Sequence, residues 1–414
     1  MIPILYDHFE TSFTSNGLGR LEECLSCKVT EVINGEYELE FSYPVSGKWF
    51  DTLVNLGCIV AVTHDNNGDL QPFDVYRYSA PIDGVVTFYA QHLSYRLNNV
   101  IMGRATPSSP EWYGFNPEQV FAKIPTLALT PCPFTFTDFS AYEISPDISQ
   151  RTMFMADGRS SVRDAFLNGY RADSEFFGSE ALYKLFPGEF KWDVWNVSYY
   201  RKRGSNKGVQ IRYGKNMTEV TRERDTSNLA SAVFPFWTTI VESGGISNPT
   251  FKFGSLTYSP YAEAINSLWV SNGDEAMETE DGEPYYFGAA DFRAIGVDFT
   301  NQFGQTEPTQ DQLTQAAMDY MSKNSTWRAF DNITVKFADL YKAGEFAEFS
   351  NLEKCSLGDY VDVFYVALGI VSKDVEIVSL TYDVLADAVS EMELGEIKTT
   401  YAQVINQTFG GVKE

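Results

Sequence analysis

The stretch C-L-S-C-K-V-T-E-V-I-N-G-E-Y-E-L-E-F-S-Y, residues 24–43, decides the fold class. Apolar and polar residues alternate through 24–33 and again through 36–43. A period of two belongs to a pleated strand with one buried face. Asn34 and Gly35 stand between the two runs. Asn-Gly between alternating runs is the strongest short hairpin signal, because the tightest turn asks for positive φ at both positions. Residues 56–63 and 73–79 predict a second hairpin around Asp65, Asn66, Asn67 and Gly68, and 84–92 continues the sheet. Roughly five or six strands at this spacing suggest a small barrel over the first domain.

Downstream the pattern mixes. Residues 104–114 (R-A-T-P-S-S-P-E-W-Y-G) are turn-rich and mark a boundary. Asn116 followed by Pro117 reads as an N-cap and first helical position, with Val120, Phe121 and Ile124 as the apolar stripe. A second helix is expected over 160–168, with Val162, Ala165 and Phe166 inward, then strands at 190–200 and 208–214. Residues 228–241 read as a strand that Pro235 limits to an edge or bulge. The clearest helix is 310–323, where Thr309 and Gln312 fit a capping box and Leu313, Ala316, Ala317, Tyr320 and Met321 recur at helical spacing. Strands resume at 331–337, 359–366, 374–382 and 388–394.

One short pattern occurs twice. L-G-C-I-V-A-V at 56–62 matches L-G-D-Y-V-D-V at 357–363. Gly57 and Gly358 would supply a tight turn or bulge at strand entry. Each copy follows an alternating strand (36–41; 332–337) and precedes a hairpin partner (73–79; 374–382). The order strand, Leu-Gly, strand, hairpin is shared; the bland reading is coincidence, since glycine before a strand is common.

Composition bounds the function. The 414 residues suffice for roughly two to four domains. Tyr and Phe number 24 and 31, which favours half-buried pleated surfaces. The opening M-I-P-I-L-Y-D-H-F-E lacks a basic region, so no signal peptide is expected. The longest apolar run, around Tyr360 to Val371, is broken by Asp362 and falls short of the about 20 residues of a membrane span. Five cysteines, Cys24, Cys27, Cys58, Cys132 and Cys355, are odd in number and widely spaced, so no disulfide framework is expected. A net charge of −25 argues against tight nucleic-acid binding and against docking on anionic lipid.

Candidate chemistry is sparse. Cys24 and Cys27 form a lone C-x-x-C without the second ligand pair of a zinc site, and structural cysteines are the expectation. Residues three apart on a strand point to opposite faces. His8, His64 and His92 are the only histidines, and no H-E-x-x-H, G-x-S-x-G or P-loop occurs. The loop 274–283 carries Asp274, Glu275, Glu278, Glu280, Asp281 and Glu283, which could hold calcium or lie as a solvated acidic loop. Residues 201–224 reverse the charge sign with Arg201, Lys202, Arg203, Lys207, Arg212, Lys215, Arg222 and Arg224. They read either as a surface for an acidic partner or as a solvated hairpin tip around Gly204 to Asn206.

Three stretches carry a resemblance. They are M-I-P-I-L-Y with C-K-V-T-E-V-I-N-G-E-Y-E-L-E-F-S-Y-P; G-E-F-K-W-D at 188–193 with G-V-Q-I-R-Y-G-K-N-M at 208–217 and the following strand; and L-G-D-Y-V-D-V with L-T-Y-D-V-L and M-E-L-G. Their order is similar to that of the phage tail hub, minor structural or prophage endopeptidase tail proteins of long-tailed phages. The resemblance implies a mainly β fold with some α (α+β), like the baseplate hub of contractile-tailed phages: two tail-tube-like antiparallel β-barrels plus two peripheral domains, in a homotrimer. The corresponding division is 1–103 for the first barrel, 104–224 for a peripheral α+β domain, 225–242 with 330–398 for the second barrel, 243–329 for an inserted peripheral domain with a helix, and 399–414 for a tail.

The implied role is a structural hub at the distal tail tip of the virion, made in the host cytoplasm. It would cap or extend the tail tube and pass DNA without specific binding. Implied partners are the distal tail protein, the tail tube and tape measure proteins, and receptor-binding proteins. Duplication would reconcile a trimer with a hexameric tube. The family's hydrolases sit in C-terminal extensions, and Glu414 comes just beyond the hub motifs, so no catalytic residue, metal or cofactor is expected. A hidden cell-wall hydrolase within 104–330 and a glycan-binding adhesin using exposed Trp and Tyr are the alternatives.

Overall fold

The computed structural model describes residues 1–64, 70–79, 83–102, 113–114, 116–139, 154–155, 161–168, 181–213, 216–225, 230–243, 246–258, 294–303, 306–324, 326, 330–337, 355–365 and 370–395. The chain is mainly β with few helices, as expected. Among the described residues no helix is long and apolar enough to cross a membrane. Two compact units form: Met1–Asp173 with Glu180–Arg222 and Asn332–Glu414, and Ser174–Ser179 with Glu223–Asp331.

The first unit begins with strands β1 (Ile4–Asp7), β2 (Gly19–Arg20), β3 (Ser26–Val32), β4 (Tyr37–Pro44), β5 (Cys58–Thr63), β6 (Leu70–Tyr78) and β7 (Val85–His92). Alternation sets the buried face. Cys27 and Val29 on β3 and Leu39, Phe41 and Tyr43 on β4 all point into the core. The predicted β3–β4 hairpin forms, but its turn is not the two-residue kind. Asn34 alone takes positive φ, at 53°, and Gly35 does not. The Asn34 side chain explains the residue choice. Its amide donates to the Gly188 carbonyl at 2.8 Å and its oxygen accepts from the Phe190 N–H at 2.9 Å. The second predicted turn, at 65–68, lies outside the described residues.

The next elements flank this sheet. Strands β8 (Tyr113–Gly114) and β10 (Phe154–Met155) pair with each other, and β9 (Thr135–Phe139) joins β11 (Glu189–Asp193) and β12 (Asn196–Tyr200). The helix Pro117–Leu127 is capped as predicted, with Asn116 Oδ1 accepting from the Gln119 N–H at 2.8 Å. Val120, Phe121 and Ile124 are buried, and the Phe121 ring packs on Phe136, Phe166 and Tyr199. The helix Val162–Leu167 is capped by Ser161. The run 190–200 is a hairpin rather than one strand, broken at Val194, whose φ is 51°. A β-branched residue there is uncommon, so sequence alone did not mark the turn.

Strands β13 (Asn206–Arg212) and β14 (Met217–Asp225) complete this stretch, and the second unit follows in the chain. It holds β15 (Ala232–Ser243), β16 (Ile246–Phe253), β17 (Thr257–Tyr258) and β18 (Ala294–Asp298) in one four-stranded sheet. Pro235 was expected on an edge or bulge, yet β15 is interior to this sheet. Pro235 sits where β17 has ended and β16 has not begun, so its missing N–H leaves no ladder bond unmade. Strand β15 lies in this second unit and not, as the expected division has it, with 330–398. The helix Gln310–Asn324 covers the sheet with Leu313, Ala316, Ala317 and Met321 against Val233 and Trp237. Its capping box is reciprocal: Thr309 N–H donates to Gln312 Oε1 at 2.8 Å, and Gln312 N–H to Thr309 Oγ1 at 3.2 Å.

The first unit resumes with β19 (Phe330–Phe337), β20 (Tyr360–Tyr365), β21 (Ile370–Asp383) and β22 (Ala388–Gly395). One 13-stranded sheet runs β14-β19-β22-β21-β3-β4-β7-β6-β5-β1-β2, with β20 on β21 and β13 on β20.

Candidate assembly surface

The long sheet contains one strand order twice. In the first half the spatial order is β3-β4-β7-β6-β5, and in the second it is β14-β19-β22-β21-β20. Registers agree at strand entry and at one bulge, while β20–β21 shifts again between Val361 and Val363 and β21–β22 between Thr381 and Tyr382. Ile59 opposes Asp74 as Tyr360 opposes Glu376. On β6 the ladder skips a residue between Val75 and Arg77, and on β21 it skips one between Ile377 and Ser379. A bulge at one equivalent place in each half is a built feature rather than a defect. The sequence repeat therefore lies on equivalent strands. Gly57 and Gly358 both take positive φ, 67° and 87°, just ahead of β5 and β20.

The halves are joined head to tail. Strand β21 is long enough to serve two neighbours along one edge. Ile370 to Glu376 pair with β20, and Ser379 to Asp383 pair with β3. The joint is ordinary antiparallel ladder, extended by Ile33 N–H to Val378 O and Val384 N–H to Cys27 O, both 2.9 Å. Thr30 and Thr381 hydroxyls meet across it at 3.0 Å.

Within the basic run 201–224, Lys202, Arg203 and Lys207 pair with carboxylates of the same chain. The Arg203 guanidinium reaches Glu31 Oε1 at 2.7 Å and the Phe190 carbonyl at 3.1 Å. Lys202 bridges Glu189 and Glu376 at 2.9 and 2.7 Å, and Lys207 reaches Asp359 at 2.7 Å. Burial works against the Lys202 ammonium, but its bonds to Glu376 and Glu189 outweigh that and raise its pKa. The same segment clamps the second Leu-Gly turn. A Cβ on Gly204 would meet the Gly358 carbonyl carbon at 2.2 Å, so only glycine fits.

The remaining candidates are structural in their contacts. Cys24 precedes β3 rather than lying on it, and its Sγ donates to the Ser26 carbonyl at 3.1 Å. A hydrogen bond shared with Cys27 lowers the Cys24 pKa and, with burial, raises that of Cys27. His64 and His92 both meet Tyr37: His64 Nε2 bonds its hydroxyl, and the His92 ring stacks on it at 4.2 Å. His92 Nδ1 accepts from the Ser94 N–H at 3.1 Å, and Nε2 faces Gln71 Oε1 at 3.3 Å. Complete burial pushes the His92 pKa well down, so the ring is neutral. His8 is half exposed, 3.8 Å from Asp74, and does not join them. The acidic loop 274–283 lies outside the described residues. Among the described residues no group of three His, Cys, Asp or Glu side chains is placed to hold a metal.

Residues 205–405 match the family described as prophage endopeptidase tail. No curated protein matches the sequence. Among solved structures, the chain is similar to prophage tail protein gp18 from Listeria monocytogenes EGD-e, at 17% identity over 98% of both chains with a TM-score of 0.53. It is also similar to the 43 kDa tail protein of prophage MuSo2 from Shewanella oneidensis, at 10% identity over 95% of this chain and 98% of the other, TM-score 0.50. The chain thus carries a prophage endopeptidase tail region at residues 205–405 within the fold of phage tail proteins.

Proposed function

We propose that this phage tail-like structural protein is the hub at the distal tip of a tail, working as a homotrimeric ring without catalysis. One observation carries the reading: the head-to-tail joint between two halves of like strand order. A head-to-tail contact leaves each half able to receive another, so repetition generates a ring where the rotation closes. Three chains of two halves present six like units, which suits a cap or extension of a six-fold tube. In this reading the two halves are the two tail-tube-like barrels, and the second unit and the β8–β12 region are peripheral. The distal tail protein, tube and tape measure proteins are its neighbours, with receptor-binding proteins beyond.

Charge supports passage of DNA. Three copies triple a formal charge of −25, and a lumen lined by acids repels phosphate rather than holding it. The basic run supports this further, since Lys202, Arg203 and Lys207 are paired with carboxylates of the same chain. Negative-stain imaging of the purified chain tests the proposal. A three-fold ring with a central channel is the expected result, and a chain that stays monomeric at every concentration, or a ring with a basic lumen, overturns it.

A further inference from the structure

We propose that Asn34 is a deamidation site that the fold keeps latent, opened when the start of β11 leaves the β3–β4 turn and barred from redocking once it has reacted. The chemistry is the same in a monomer or a ring. Asparagine before glycine is a labile arrangement, because glycine puts no side chain in the way of its own nitrogen. The Gly35 nitrogen attacks Asn34 Cγ, gives up its proton and expels the side-chain amide as ammonia. Water then opens the cyclic imide to aspartate or isoaspartate. Water is the one co-reactant, and nothing is oxidised or reduced.

Asn-Gly occurs five times in the chain, at 16, 34, 67, 168 and 272, and two of these pairs lie wholly within the described residues. Those two are held very differently. Asn16 and Gly17 are both exposed between β1 and β2, and the Asn16 side chain makes no hydrogen bond among the described residues. At Asn34 the reacting atoms are engaged. Nδ2, the leaving nitrogen, donates to the Gly188 carbonyl at 2.8 Å, and Oδ1 accepts from the Phe190 N–H at 2.9 Å. The attacking Gly35 nitrogen donates its proton to the Val32 carbonyl at 3.0 Å. The Gly35 carbonyl accepts from the buried Arg163 guanidinium at 3.1 Å, which holds the turn from its other side. Imide closure swings Cγ onto the Gly35 nitrogen, so both bonds to the start of β11 must break first. The product cannot restore them. A carboxylate has no proton for the Gly188 carbonyl and sets oxygen against oxygen where Nδ2 stood. Isoaspartate also lengthens the backbone of a turn that holds φ at 53°.

The test is peptide mapping by mass spectrometry during incubation at mildly alkaline pH, with the folded chain set against the same chain in urea. In urea Asn16 and Asn34 should convert at similar rates. In the fold Asn34 should convert on the order of thirtyfold more slowly than in urea, since two hydrogen bonds must open together, while Asn16 stays near its urea rate. An Asn34 that converts in the fold as fast as in urea, or that does not convert in urea at all, overturns the latent site. Asn34→Asp stands for the product. Amide exchange across Glu189–Asp193 should then rise on the order of tenfold, with the helix Gln310–Asn324 unchanged. Unchanged exchange at 189–193 overturns the one-way step. If Asn34→Asp does not fold, Asn34→Gly keeps the left-handed turn without the side chain and should show the same rise; no rise there overturns the step instead.

Discussion

The two halves of the long sheet share a strand order but differ at their connections and edges. The first half joins β3 to β4 through four residues around Asn34, while the second places a whole unit between β14 and β19. Beside β5 lies β1, antiparallel; beside β20 lies β13, parallel. Strand β3 is buried in the joint, and its counterpart β14 ends the sheet. What is held in common is the ladder that positions one half on the other. What varies is everything outside that ladder. Between the halves the bulge on β6 and β21 is kept, and likeness is lost outside the ladder.

The strongest way to break the comparison is through equivalent core positions. Phe41 opposes Phe88, and Val335 opposes Met392, at matching places in the two registers. Both are fully buried. Phe41→Ala should cost roughly 3–5 kcal/mol and Val335→Ala about 2 kcal/mol, in urea unfolding of the whole chain. Because the joint is continuous ladder, both variants should lower one shared transition of the first unit. Two separate transitions, each moved by one variant only, would show that the halves unfold independently.

A smaller effect sharpens the comparison at the repeat. Gly57 and Gly358 share left-handed backbone, but their surroundings differ. A Cβ on Gly57 meets nothing within 4 Å, whereas on Gly358 it would lie 3.1 Å from the Gly204 nitrogen and from Arg203 Cβ. Gly57→Ala should therefore cost about 1 kcal/mol, for backbone strain alone. Gly358→Ala should cost about 2–3 kcal/mol, since the clamped turn must also shift. Equal costs would mean that the 202–207 segment does not press on the second turn in solution.

Local chemistry was legible in the sequence and distant chemistry was not. The capping box at Thr309 and Gln312 and the cap at Asn116 act over three residues, so spacing alone revealed them. The Leu-Gly repeat was visible because both turns need glycine at positive φ. Asn34 was read as a turn residue, but its side chain serves Gly188 and Phe190, 154 and 156 residues away. The ion pairs of the basic run with Glu31, Glu376 and Asp359 left no sequence signal because those carboxylates lie 152 to 174 residues away. Pro235 pointed to an edge because no sequence pattern shows where two partner strands leave a gap.

The last difference between the halves is a titratable one. His92 ends β7 inside the first core, stacked on Tyr37 with Gln71, Ser94 and His64 around it. Burial lowers its pKa in the folded chain, while the unfolded chain takes up the proton near pH 6.5. The unfolded state thus binds more protons below that pH, so stability is full above about 6.5 and declines as pH falls. One such group contributes a slope of about 1.4 kcal/mol per pH unit until the folded histidine itself protonates. Carboxylates add their own slopes at lower pH, so the measurement is a difference. His92→Gln lowers stability at neutral pH, and between pH 6.5 and 5.5 its unfolding free energy should fall less steeply than that of the wild type by about one proton. Parallel pH profiles would show that the ring titrates in the fold as it does in the unfolded chain, and that burial does not hold it neutral.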